Sequence, residues 1–178
     1  LAWVHAASVG ESLSALPLIT KLLSDRPDLH VLITTGTAAS AKILSERMPE
    51  RAIHQFAPLD SKSMFNRFLA HWNPDPMVLI ESELWPQMIT LTGVNDIPMA
   101  LINARLSAGS LRNWQRFPRT ANALFSGFSL ITAQNDSTAA GLRTLGAPNV
   151  TTGGNLKSAA PPLADQPALR RKFEAALK

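Results

Sequence analysis

"WVHAASVGES", residues Trp3–Ser12, begins as an apolar run and breaks off into small residues, a glycine and an acid. Its first six residues have the composition of a buried strand. Leu13, Leu16, Ile19 and Leu23 then recur at helical spacing, so a helix follows within a few residues of the strand. Pro17 interrupts that pattern and is expected only as a kink or close to the first turn. A strand, a tight turn and a helix make the opening half of a βαβ unit, and the fold depends on whether the unit recurs.

It recurs through most of the chain. "VLITT" (31–35) reads as a strand and "AASAKILSERM" (38–48) as a helix. "AIHQFAP" (52–58) and "SKSMFNRFLAHW" (61–72) form the next pair, followed by "MVLI" (77–80) and "LWPQMITLTG" (84–93). "PMALIN" (98–103) leads into a basic helical segment around Leu111 to Phe125. "SLITA" (129–133), the helix "STAAGLRTLG" (137–146) and a short "VTT" (150–152) complete the series. Seven strands alternating with helices predict an α/β fold with a Rossmann-like, doubly wound parallel sheet, and continuous rather than alternating apolar runs fit strands covered on both faces. Ligands of such sheets bind beyond the carboxyl ends of the strands. The informative turns are therefore "SVGES", "TTGT", "ESELWP", "NARLS", "AQND" and "GGNLK". "SAAPPLADQPA" (158–168) reads as a linker, and "LRRKFEAALK" (169–178) as a short charged helix. The domain division predicted is thus residues 1–157 as one Rossmann-like unit and 158–178 as linker and the start of a further segment.

The 178 residues suit one domain and are ample for a hydrophobic core. No run approaches the roughly 18 apolar residues of a membrane span. The chain enters its first strand-like run almost at once, without an initiator methionine, so upstream sequence is expected. With no cysteine, disulfides and thiolate chemistry are excluded. The net charge of +4 is unevenly spread: residues 101–160 hold 6 Lys/Arg against 1 Asp/Glu, whereas residues 1–100 hold 7 against 10. Arg105, Arg112, Arg116 and Arg119 make a basic block that suits an anionic partner such as a phosphate, or equally a solvated helix face. Nucleic acid is disfavoured, because aromatic residues are few and no recognition motif is present.

Several chemistries are excluded by what the turns lack. "SVGES" carries one glycine where the dinucleotide fingerprint needs three, and no GxxxxGK[ST] sequence exists for a nucleoside triphosphate. A GxSxG nucleophile elbow is absent. The four histidines, His5, His30, His54 and His71, show no ligand spacing, and each is read as a core or surface histidine with its hydrogen bonds met. Trp85 and Trp114 lie near the cleft, where a ligand contact is open, and are read first as packing residues. Glu11 stands at the first turn of a helix, where the positive end of the macrodipole stabilises a carboxylate by roughly 0.3 to 1 kcal/mol. That field leaves the group ionised and able to accept a proton, so a structural cap and a general base are both open. Glu81 and Glu83 follow the strand "MVLI" at its carboxyl end; one could cap the helix beginning near Leu84 while the other faces the cleft. "TTGGNLK" has the composition of a phosphate nest, with Lys157 adding charge.

Taken in order, "WVHAASVGES", "ITTGT", "IESELWP", "INARLS", "AQND" with "LGAPNV", and "TGGNLK" resemble the motifs of the 3-deoxy-D-manno-octulosonic acid (Kdo) transferases over about residues 2–158. The resemblance implies the amino-terminal, acceptor-binding half of a two-domain GT-B glycosyltransferase, with a membrane-anchoring segment upstream and a donor domain downstream. It implies inverting, metal-independent transfer of Kdo from CMP-Kdo, held mainly by the downstream domain, to the glucosamine disaccharide of a lipid A precursor. That places the reaction at a membrane surface, the cytoplasmic face of the bacterial inner membrane, with no cofactor. The family's base falls on Glu11, and its other catalytic positions on Glu81 and Lys157. Ser8, Gly10, Thr35, Gly36, Thr37, Glu83 and Arg105 are the implied acceptor-binding residues. One departure is that "AAS" follows "TTGT" where the family leads one to expect a proline and a glycine. Two other readings are a GT-B enzyme with a different acceptor and a non-catalytic, flavodoxin-like binding module in which the acids are helix caps.

Overall fold

The structure, a computed structural model, describes residues 1–82, 84–159 and 167–176. Seven strands form one sheet, all pairs parallel, in the order β3-β2-β1-β4-β5-β6-β7. They are β1 (Ala2–His5), β2 (Val31–Thr35), β3 (Ala52–Phe56), β4 (Met77–Ile80), β5 (Met99–Ala104), β6 (Phe128–Ala133) and β7 (Val150–Thr152). Between them lie α1 (Val9–Asp25), α2 (Ala38–Arg47), α3 (Lys62–Trp72), α4 (Pro86–Val94), α5 (Ala108–Gln115), α6 (Pro118–Phe125) and α7 (Asp136–Thr144). A 3-10 turn at Leu156–Ala159 follows β7, and α8 (Pro167–Ala176) closes the described chain. Most of the expected linker, residues 160–166, lies outside the described residues.

Two apolar layers bury the sheet, one on each face. Trp3, Leu32, Met77 and Leu79 pack with Phe65 and Leu69 of α3, Met88 and Ile89 of α4, and Phe125 of α6. Val4, Ile33 and Ile80, their chain neighbours, pack on the opposite side with Ala15 and Ile19 of α1 and Leu44 of α2. Side chains alternate between faces along a strand, so a strand covered on both sides needs apolar residues at every position. β1 and β2 are buried throughout and apolar up to His5, Thr34 and Thr35 at their carboxyl ends, which are hydrogen-bonded, whereas the edge strand β3 leaves Ile53 and Phe56 exposed.

Strand order fixes where a ligand can sit. The chain runs outward from β1 through β2 to β3, then returns to the other side of β1 for β4 and continues outward to β7. The reversal leaves a crevice above the carboxyl ends of β1 and β4. This order is also unlike the 2-1-3-4-5 arrangement of flavodoxins, so the topology is not flavodoxin-like.

The basic segment expected as one helix is two. Pro118 stands in the first turn of α6, and α5 ends before it with Arg116 and Phe117 donating short-range bonds to Asn113 and Trp114. Proline has no N–H to continue a helix and its ring clashes with the preceding turn, so the break is local chemistry. Pro17, by contrast, is well inside α1. It cannot donate to the Leu13 carbonyl, and tertiary packing of Ala15 and Ile19 overrides that loss.

Gly146, just beyond α7, has φ +93°, and a Cβ there would stand 2.2 Å from Nδ2 of Asn122. Gly146→Ala should destabilise the fold by at least about 1 kcal/mol, from the left-handed conformation alone. An unchanged midpoint in urea denaturation would contradict this.

Candidate functional site

The turn after β1 is built as a helix cap. Ser8 is the N-cap of α1; its Oγ accepts from the N–H of Glu11 at 3.3 Å and donates to Glu11 Oε1 at 2.8 Å. Glu11 Oε2 accepts the backbone N–H of Ala7 at 2.9 Å. This is a capping box displaced by one residue, because the carboxylate reaches Ala7 rather than the N-cap itself. Glu11 is 8% exposed, whereas Ser8 and Gly10 face solvent.

The next turn lies against this one. Gly36 donates its N–H to the Ala7 carbonyl at 3.0 Å, and a Cβ on Gly36 would stand 3.4 Å from that oxygen. Thr37 caps α2 through Ser40, whose N–H lies 3.1 Å from Thr37 Oγ1. Ser40 is the last residue of the unexpected "AAS", so that stretch supplies the partner of the cap. Thr35 is buried, and its hydroxyl pairs with His54 Nε2 at 2.9 Å.

At the end of β4 the chain turns through Glu81 in the left-handed region, φ +63°, with its N–H on the Ile102 carbonyl at 2.9 Å. Oε1 of Glu81 is 3.0 Å from Nζ of Lys157, which arrives from beyond β7. The same Nζ lies 3.9 Å from the point where a Cβ on Gly10 would stand. Glu81 is 16% exposed and Lys157 53%, so the pair contributes no more than about 1 kcal/mol to stability. Its value is geometric: it holds a cation over the turn that carries Glu11. Arg105 is exposed at the end of β5, and its carbonyl accepts a hydrogen bond from the Ser82 hydroxyl, lacing the two turns together. Glu83 lies outside the described residues.

Glu81 does not cap α4. Asp60, from the loop after β3, accepts the Met88 N–H at 3.1 Å and performs that task across the sheet. Asn103 was also not anticipated as a site residue. It is 1% exposed, has φ +62°, and bonds to Glu81 and to the residue preceding Lys157. Asn103 stands in "NARLS", a turn already noted, and Asp60 between two quoted stretches, but nothing local signals a partner so distant in the chain.

His5 corrects one expectation. It is fully buried with Nδ1 on Thr34 Oγ1 at 2.9 Å, but among the described residues Nε2 has no hydrogen-bond partner. Its ring packs edge-on against Trp85, centroids 5.5 Å apart. Burial pushes the imidazole down to about 4, partly offset by the Thr34 backbone. Trp85 and Trp114 are packing residues, the latter edge-on to Phe125 at 5.8 Å.

A surface depression of about 620 Å³ lies over α3, between Met64 and Trp72, and one of about 330 Å³ at Phe117–Thr120. Neither borders Glu11, Glu81 or Lys157. Among the described residues no group of three or more His, Cys, Asp or Glu is placed to ligate a metal, and no helix is long and apolar enough to cross a membrane.

Residues 1–160 match the family described as 3-Deoxy-D-manno-octulosonic-acid transferase (kdotransferase). The chain belongs to the Kdo transferase family. It is 41% identical over 159 residues to the 3-deoxy-D-manno-octulosonic acid transferase of Rickettsia prowazekii, covering 89% of this chain and 34% of that one. It is 34% identical to the Haemophilus influenzae transferase, covering 87% and 37%. The chain thus spans about a third of the length of these Kdo transferases. Among solved structures it superposes on S. aureus MnaA determined with UDP, TM-score 0.64 at 14% identity, covering 97% of this chain and 51% of that one. The UDP-N-acetylglucosamine 2-epimerase of Rickettsia bellii gives TM-score 0.63 at 12% identity, covering 99% and 48%. These likenesses carry the fold alone: this Kdo transferase chain is one Rossmann-like half of the GT-B architecture.

Two measurements follow from the geometry. His5 is neutral in the folded chain and can take up a proton in the unfolded one once pH falls below 6.5, so stability should decline from there toward pH 4. The slope is at most about 1.4 kcal/mol per pH unit. Urea midpoints should fall more steeply with pH for wild type than for His5→Phe; parallel curves would reject the assignment. At Gly10 a methyl group fits at 3.9 Å from Lys157 Nζ, and a leucine side chain would reach into the space beside that ammonium. In the full-length transferase Gly10→Ala should keep activity and Gly10→Leu should lose it, with both folded by circular dichroism.

Proposed function

We propose that this chain is the acceptor-binding half of a Kdo transferase that moves Kdo from CMP-Kdo to a lipid A precursor with inversion, and that Glu11 is its general base. The observation that carries the reading is the Glu81–Lys157 pair set against Gly10, one residue from Glu11, above the strand-order reversal.

In such a transfer the acceptor hydroxyl loses its proton as its oxygen attacks the anomeric carbon, while the bond to the CMP phosphate breaks. Glu11 accepts that proton. The hydrogen bonds from the Ala7 N–H and the Ser8 hydroxyl fix the orientation of its carboxylate. Lys157 presents a cation to an anionic group, the leaving phosphate or the carboxylate of Kdo. Glu81 acts on Lys157 rather than on substrate: its carboxylate holds Nζ in place, which explains an acid in a site for anions. Ser8, Gly10, Gly36, Thr37 and Arg105 are the proposed acceptor-binding residues, together with Glu83, which lies outside the described residues; Thr35, expected among them, is fully buried with its hydroxyl on His54 and supports the turn instead. Arg105, with exposed Arg112, Arg116 and Arg119, suits acceptor phosphates. A lipid acceptor puts the work at a membrane surface, the cytoplasmic face of the inner membrane.

Glu11→Gln in the full-length protein should lower turnover by roughly 10²- to 10⁴-fold. Near-normal transfer from CMP-Kdo to a lipid A precursor would overturn the base assignment. Equal transfer to soluble sugars would instead point to a GT-B enzyme with another acceptor.

A further inference from the structure

Asn103 stands at the end of β5, 1% exposed, in a backbone conformation that asparagine adopts more readily than other side-chain-bearing residues, φ +62°. All four of its polar groups are engaged, and each reaches a different part of the chain. Its N–H donates to Thr132 Oγ1 at 3.1 Å and its carbonyl accepts from Gln134 Nε2 at 3.1 Å, anchoring it to β6 and the turn beyond. Its side-chain Oδ1 accepts the Leu156 N–H at 2.9 Å, and Nδ2 reaches Glu81 Oε1 at 3.4 Å.

The two side-chain bonds have a joint consequence. Oε1 of Glu81 is the same oxygen that meets Lys157 Nζ, and Leu156 is the residue before Lys157. One buried amide therefore grips both members of the ion pair, one through its carboxylate and the other through its backbone. The pair is too exposed at Lys157 to define its own geometry, because a lysine stem has several rotatable bonds and solvent competes for the charge. We propose that Asn103 is a positioning residue for transfer, setting the place of the Lys157 ammonium by holding Glu81 and the Leu156–Lys157 backbone in register. The inference rests on the reading that Lys157 serves the reaction.

A mutant cycle in the full-length enzyme tests it. Asn103→Gly keeps the left-handed backbone accessible and removes the amide. Asn103→Asp keeps the acceptor for Leu156 but turns an oxygen toward Glu81. Each should lower kcat, by up to roughly a hundredfold for a displaced catalytic cation. The effect should vanish when Lys157 is already alanine, so that the double variants match Lys157→Ala alone. Losses that multiply would overturn the proposal and leave the role of Lys157 standing. Wild-type turnover in Asn103→Gly, beside an impaired Lys157→Ala, would do the same. Wild-type turnover in Lys157→Ala would overturn the underlying reading and this proposal with it. Failure of both Asn103 variants to fold, judged by circular dichroism, would make the residue a structural one and also overturn it.

Discussion

β1 is the constraint on which the molecule is built. It pairs in parallel with β2 on one side and β4 on the other, is buried on both faces, and is the place where the chain reverses its direction of winding. Parallel neighbours at the reversal send their connections to opposite faces, which leaves a crevice above the two strand ends. The turn carrying Glu11 follows β1, and the turn carrying Glu81 follows β4. Their proximity is thus a property of topology, and any sequence folding this way would bring those two turns together.

What the topology does not supply is a stable polar arrangement in that crevice. Glu81 and Asn103 both occupy the left-handed region, at a cost of about 1 to 2 kcal/mol for Glu81 and less for the asparagine. The hydrogen bonds of Asn103, each with a net value of about 1 kcal/mol, offset that cost. The left-handed turn at Glu81 is the conformation in which its carboxylate meets both Asn103 Nδ2 and Lys157 Nζ. Strain and polar satisfaction are therefore linked at one spot, and that spot is where the proposed chemistry takes place.

The capping role of Glu11 and its proposed role as base are compatible for an electrostatic reason. A helix N-terminus offers unpaired N–H groups and a positive field, and both stabilise a carboxylate. A carboxylate oxygen has more than one lone pair, so accepting from Ala7 and Ser8 does not exhaust its capacity. The same hydrogen bonds that make Glu11 a structural residue orient it as a reactive one.

Strand and helix identity was written in the residues themselves, because burial on two faces imposes apolar runs and helices impose a 3.6-residue period. "VLITT", "MVLI" and "VTT" match β2, β4 and β7 residue for residue. The cap at Glu11 was equally local, since Ser8 and Glu11 lie within one turn. The break at Pro118 was local too, but a helical pattern running across it concealed the stop. The rest required tertiary structure. Strand order places Lys157 beside Glu81, Asp60 under α4 and Asn103 between two turns, and each of these pairings joins residues far apart in the chain. Nε2 of His5, without a partner among the described residues, belongs with them, because an unmet hydrogen bond exists only once every neighbour is in place. Periodicity and capping act over a few residues and can be read along the chain; which charges meet depends on sheet topology and on two left-handed residues, and those are settled only when the chain has folded.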